Sequence, residues 1–263
     1  MTGDNSSSEQ LKIDLMEGGP PYPLGTIVGN AIAQRMARAV KTGLHVETFL
    51  CVMGALAGFA AQMGMREEFI GKQKKSEQDI FKIFKTANNF LYYGGPNLGA
   101  LLTDTPHSIF QVIGDALQQI GGKDSVTTEM AAAMVRTVVA EPDSEYGLIL
   151  NVPENHKPHL KPLDALKIFW NQAYAELFTM SELSRKVNGT QWAHELARCI
   201  HKFIVQAKPI LPPINVTFEL IMRPAIAMGR VNPEIIIQHI KDNKLEWGQF
   251  GRPGEKLDYP IYR

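Results

Sequence analysis

Apolar side chains recur along most of the chain at helical spacing. Ile27, Ala31, Ile32, Met36, Ala39 and Val40 mark a helix over about 24–41, which Gly43 punctuates. A second helix is expected over 46–68. Its segment FLCVMGALAGFAAQMGM, 49–65, is apolar except for Gln62. That run is shorter than the roughly 20 residues of a membrane span and is diluted by Ala and Gly, so it reads as a buried core helix. Small residues stand four apart in both helices: Gly25, Gly29 and Ala33 in the first, Gly54 and Gly58 in the second. Such rows let helix backbones approach closely.

After GKQKKSEQD (71–79), which reads as a solvated loop, the pattern changes. In IFKIFKTANNFLYYGG, aromatic and β-branched residues flank Ala87, Asn88 and Asn89, and Asn tolerates left-handed turn geometry. This predicts a β-hairpin with strands at 80–86 and 89–93.

Helical spacing then resumes. Thr105 and Pro106 are expected to open a helix as N-cap and first-turn proline, with Gly121 and Gly122 closing it. A helix over 126–140 follows, then a long connection, 141–160, holding one short strand at 148–152. The next helix, 162–180, carries Leu166, Phe169, Trp170, Ala173 and Leu177 on its apolar side. Further helices are expected over 190–208 with Thr190 as N-cap, over 213–228 with a kink at Pro224, and over 233–240 capped by Asn232. No period of 20–50 residues repeats, which argues against a solenoid.

The fold class expected is therefore mainly α: a multi-helix globular bundle with one small β-hairpin near residues 80–93. Its expected organisation is an irregular N-terminal segment, 1–23, a single helical domain, 24–242, with a subdivision point near 145, and an extended C-terminal arm, 243–263.

Composition narrows the partners. Lys+Arg and Asp+Glu both number 27, so the formal net charge is zero. Nucleic-acid-binding domains generally carry a basic excess, because phosphate neutralisation supplies much of their affinity. Arg35, Arg38 and Lys41 give the first helix a basic side, but the following helix offers Phe49, Leu50 and Val52 where a recognition helix needs polar base-reading side chains. Nucleic acid is thus not the expected partner. The two cysteines, Cys51 and Cys199, fall in apolar helical patterns and read as reduced, buried thiols. The polar, acidic N-terminus lacks a basic segment followed by an apolar core, so the expected location is cytoplasmic.

Little in the chain announces chemistry. TQWAHELARCIHKFIVQAK (190–208) sets Trp192, Leu196, Cys199, Ile200 and Phe203 on one face as core contacts. His194 and His201 stand seven apart, roughly 10 Å along the axis, whereas paired helical zinc ligands sit one turn apart. The residue one turn after His194 is Arg198, so His194, Glu195 and His201 read as a polar rim. His156 and His159 form a close pair with no third histidine or cysteine near them in sequence. No metal site and no cofactor is expected. IGGKDS (120–125) lacks the first glycine and the Ser/Thr of a phosphate loop, and no G-x-G-x-x-G or G-x-S-x-G occurs.

The candidate ligand site lies in FLYYGGPNLGALLTDTPHS, 90–108. Tyr92 and Tyr93 offer apolar rings with polar tips, although strand alternation sends them to opposite faces. Gly94 and Gly95 let backbone approach a bound group, beside Asn97. Thr105, His107 and Ser108 lie at an expected helix start, where free N–H groups favour a small anionic ligand. The expected function is non-covalent binding or self-assembly. A homodimer is the expected partner state, suggested by Trp247, Phe250, Tyr259, Ile261 and Tyr262 on the C-terminal arm. An enzyme gathering its catalytic groups from distant helices is the alternative, and a DNA-associated regulator the third reading.

Overall fold

The computed structural model describes residues 24–39, 44–85, 89–122, 126–140, 150–184 and 187–243. The segment expected at 1–23, residues 244–263 of the arm expected at 243–263, and the subdivision point near 145 lie outside the described residues. The architecture is mainly helical with one two-stranded antiparallel hairpin, as the periodicity predicts. In chain order the elements are α1 (Leu24–Ala39), α2 (Val46–Met65), a π-helical turn (Arg66–Lys72), α3 (Glu77–Ile80), β1 (Lys82–Lys85), β2 (Leu91–Gly94) and α4 (Pro96–Gly99). After a second π-helical turn (Ala100–Asp104) come α5 (Ile109–Gln119), α6 (Thr128–Ala140), α7 (Pro162–Ser184), α8 (Trp192–Gln206), α9 (Ile214–Met228) and α10 (Pro233–Asp242).

The centre of the bundle is α2. From Thr48 to Met65 every residue but Met63 is buried, because α7, α8 and α9 cover its sides. By length and composition the continuous helix Val46–Lys72 is apolar enough to cross a membrane, but 94% of its apolar window is enclosed by the rest of the chain, as in a core helix. Buried residues on both sides of 141–149 belong to one cluster, from Leu24 to Ile240. The small-residue rows find their use here. A Cβ on Gly54 or Gly58 would overlap the backbone of Ile221 or Ala225 in α9, and one on Gly25 would overlap the Glu195 carbonyl in α8. Helix axes cross this closely only where no Cβ intervenes.

Several local expectations are corrected. The loop expected at 71–79 is partly helical: Gly71 and Lys72 finish a π-helical turn, and Ser76 caps α3 reciprocally with Asp79. Thr105 does not cap a helix; its hydroxyl donates to the Ala100 carbonyl at 2.8 Å. Ser108 takes the role, accepting from the Gln111 N–H, because it directly precedes the buried face Ile109, Val112, Ile113 and Ala116. Thr190 likewise lies inside a 3-10 turn (Gly189–Gln191), and the Asn188 N–H donates to the Gln191 side chain at 2.9 Å. Residues 150–152 are not strand, and 148–149 lie outside the described residues. Pro224 lies inside α9 without ending it.

Candidate functional site

The hairpin packs one face against the end of α2. Its register pairs Ile83 with Tyr93 and Phe84 with Tyr92, so Tyr92 and Tyr93 leave on opposite faces. Tyr93 meets Phe81 edge to face at 5.7 Å, and both rings receive the Arg66 guanidinium, at 4.7 Å and 5.0 Å from their centroids. Arg66 Nη1 also pairs with Glu77 at 2.5 Å. Two rings and a carboxylate therefore fix the guanidinium in orientation.

What these contacts leave open is specific. Arg66 Nε and Nη2 are buried and have no hydrogen-bond partner. These two nitrogens form one edge of the guanidinium, the fork that matches a carboxylate or phosphate with two parallel N–H···O bonds. One turn earlier on the same row stands Gln62, whose backbone carbonyl accepts the Arg66 N–H. Gln62 is 0% exposed, and neither its Nε2 nor its Oε1 is partnered. The neighbouring surface of α7 adds Trp170, fully buried, with an unpartnered Nε1. Its ring meets Phe59, three residues before Gln62, at 4.7 Å. Tyr174, one turn beyond Trp170, responds to the charge of Glu67. α7 packs along α2, and the Phe59 contact places Trp170 beside the turn that precedes Gln62, two turns before Arg66.

A buried polar group without a partner costs about 1–3 kcal/mol, so native interiors rarely hold several together. Five such atoms on Gln62, Arg66 and Trp170 single out this locus. Its electrostatics are mixed: Arg66 is paired with Glu77, and the charges of Glu67, Glu77 and Glu234 reach the neighbouring phenols. Burial, then the charge of Glu77, raises the Tyr93 phenol above its ordinary value, against the Arg66 charge and a hydrogen bond to the Arg66 side chain. Tyr174 is pushed up to about 12, by burial and then by Glu67. Both phenols are neutral near pH 7 and do not neutralise Arg66.

The residues of the expected 90–108 site divide between separate places. Tyr93 is the one that joins Arg66. Tyr92 is buried on the other face of the strand, the side on which a Gly94 Cβ would lie near Phe84 and Arg230 Nη1. Arg230 is a second half-buried cation; its Nε is unpartnered, burial lowers its pKa, and Asp104 opposes that shift. Gly95 has a φ of 117°, which side-chain-bearing residues rarely adopt, and turns the chain into α4, where Asn97 is buried. Thr105 closes its π-helical turn and Ser108 caps α5. His107 is exposed, with its ring 5.5 Å from His194, whose Nδ1–H donates to the His107 carbonyl at 3.1 Å. Glu195, expected on a polar rim, is only 3% exposed. Gly25 lets α1 lie directly on its backbone, while Arg198 holds one carboxylate oxygen at 3.3 Å.

The pair His156 and His159 gains the third histidine that its local sequence lacks. His45, just before α2, stacks on His159 at 3.9 Å, and Glu47 lies between His45 Nε2 at 3.4 Å and His156 Nδ1 at 2.9 Å. His45 Nδ1 accepts the Thr48 N–H as a helix cap, and the Thr48 hydroxyl accepts the His159 N–H at 2.9 Å. With Nδ1 accepting, the neutral ring carries its proton on Nε2, facing Glu47, and has no lone pair left there for a metal. Among the described residues no group of three or more His, Cys, Asp or Glu side chains is arranged to hold a metal ion. The cluster acts as a tie between α2 and the connector 150–160.

This tie should be acid-sensitive. Burial, then the charge of His159, lowers the His45 pKa below its ordinary 6.5. The folded state therefore favours neutral His45, and its contribution is lost as pH falls from about 6.5 through the lowered folded value. The Glu47 pKa is lowered too: burial opposes this, but the His156 hydrogen bond, its own backbone N–H and the histidine charges outweigh it. That contribution persists above about 4.5 and disappears below it. Amide protection factors of the connector, corrected for the slower intrinsic exchange in acid, should fall between pH 7 and 5, and His159→Ala should remove part of that fall. A connector with pH-independent protection would refute the tie.

A groove of about 270 Å³ lies between α5 and the start of α6, lined by Phe110, Gln111, Gln118, Thr127 and Glu129 among others. It gathers no converging charge. No family model, no curated protein and no solved structure matches this chain.

Proposed function

We propose that the protein acts by non-covalent binding of a small oxyanion, a carboxylate or a phosphate, between α2, α7 and the inner face of the hairpin. The observation that supports this is the Arg66 edge: Nε and Nη2 are buried side by side without a partner, while Nη1 is held by Glu77 and the ring faces of Phe81 and Tyr93 fix the plane. A preoriented fork sacrifices little side-chain freedom on binding. Carboxylate and phosphate share the required pair of oxygens, so the two are separated by titration. None of the groups at the fork is a nucleophile, which favours binding over catalysis there.

The test is thermal unfolding in acetate, phosphate and chloride at matched ionic strength. Ligand at 100 times its Kd stabilises by about 2.7 kcal/mol, which raises Tm by about 5–10 °C for a domain of this size. Arg66→Lys keeps the charge but removes the fork, and should weaken the response at least tenfold. Arg230→Lys, which alters the cation on the other face of the hairpin, should leave it intact. Equal shifts in wild type and Arg66→Lys, or no shift with either oxyanion, would overturn the reading.

A further inference from the structure

Resting on that anion reading, we infer that the ligand is a small carboxylate carrying a hydrogen-bond donor on the neighbouring carbon, a 2-hydroxy acid being the simplest case. The inference comes from Gln62. An oxyanion satisfies donors only, and three of the unpartnered groups are donors: the two nitrogens of the Arg66 edge and the Trp170 indole N–H. Gln62 differs, because its amide brings one acceptor as well as one donor. Both are buried and unpartnered, and the residue is 0% exposed. Exchanging the assignment of amide oxygen and nitrogen changes nothing, since either orientation leaves one acceptor and one donor.

A plain carboxylate, or the dianion of a phosphate monoester, would leave the Gln62 oxygen without a partner, at a cost of about 1–3 kcal/mol. A hydroxyl next to the carboxylate can donate to that oxygen. The carboxylate then lies along the Arg66 fork, and the hydroxyl falls one helical turn back, where Gln62 stands. Residues one turn apart on a helix are about 5–6 Å apart at their Cβ atoms, close enough for one small molecule to touch both side chains. The site therefore discriminates by a buried polar group that must be matched, which rejects analogues lacking the matching atom far more strongly than an apolar wall can.

The experiment compares acetate, glycolate and fluoroacetate by calorimetric titration of the full chain. Fluoroacetate resembles glycolate in size but has no donor. Glycolate should bind at least tenfold more tightly than either of the others. Gln62→Leu should bring all three within about twofold of one another. If all three bind wild type equally, the donor requirement is wrong and the anion site stands. If none binds, the anion reading fails with it. The wild-type comparison of glycolate with fluoroacetate decides the matter even if Gln62→Leu does not fold.

Discussion

Gly58→Ala is expected to destabilise the protein by about 3 kcal/mol or more, at the upper end of what overpacking costs. A Cβ at Gly58 would overlap the Ala225 carbonyl of α9, far inside the 3.0 Å that real Cβ atoms keep. The obstacle is backbone, so no side-chain rotation relieves it. Nor can α9 simply back away. A Cβ on Gly54 would overlap the Ile221 carbonyl one turn earlier, and one on Gly229 would come to 3.0 Å from the Gly58 carbonyl, so three points hold the crossing. Separating the helices would loosen the contacts of Leu220, Ile221, Met222 and Ala225, all fully buried. Gly114→Ala is the control with the opposite sign. It sits within α5, and its Cβ would meet only Val126 Cγ1, at an ordinary 3.8 Å. There alanine should add about 0.5–1 kcal/mol by restricting the unfolded chain. Urea titration measures both. A Gly58→Ala protein within 1 kcal/mol of wild type would mean that the α2–α9 crossing is looser than described.

Those glycines show what a single sequence discloses about this fold. Spacing alone marked the rows Gly25–Gly29 and Gly54–Gly58 as places of close approach, and the helices and hairpin followed from their periods of 3.6 and 2. The partners across each crossing, α8 for α1 and α9 for α2, were not legible, because a small face does not encode which backbone it will meet. Caps shifted for a related reason: Thr105 and Ser108 have equal local credentials, and the choice fell to the residue adjoining the buried face. The candidate site was legible only at Tyr93. Gln62 was visible as the polar interruption of an apolar run, but its meaning depends on Arg66 one turn later and on Trp170 more than a hundred residues away. His45 and Glu47 were equally remote from His156 and His159. Polar convergence from distant helices leaves no local pattern, whereas core faces do, since each repeats within its own helix.

Two tryptophans give the last expected result, because they are equally buried and differ in one hydrogen bond. Trp192, at the start of α8, is fully enclosed; its Nε1–H donates to Ser181 Oγ at 2.7 Å, and the Ser181 hydroxyl donates in turn to the Leu177 carbonyl at 2.7 Å. Trp192→Ala should cost about 4 kcal/mol, the usual range for emptying a buried tryptophan site. Trp192→Phe keeps most of the volume but breaks the relay and leaves a buried hydroxyl acceptor unfilled, for about 2 kcal/mol in total. Trp170→Phe removes the same atoms from an equally buried ring, but its indole N–H has no partner to lose. That variant should cost roughly 1 kcal/mol or less, since shedding an orphaned donor offsets part of the cavity. Chemical denaturation without added oxyanion should therefore place Trp192→Phe at least about 1 kcal/mol below Trp170→Phe. Saturating glycolate should narrow the gap, because the Trp170 N–H is then one of the donors engaged and its removal weakens the ligand's stabilisation. Equal costs without ligand would show that the Trp170 indole is as well satisfied as that of Trp192, and would remove it from the proposed site.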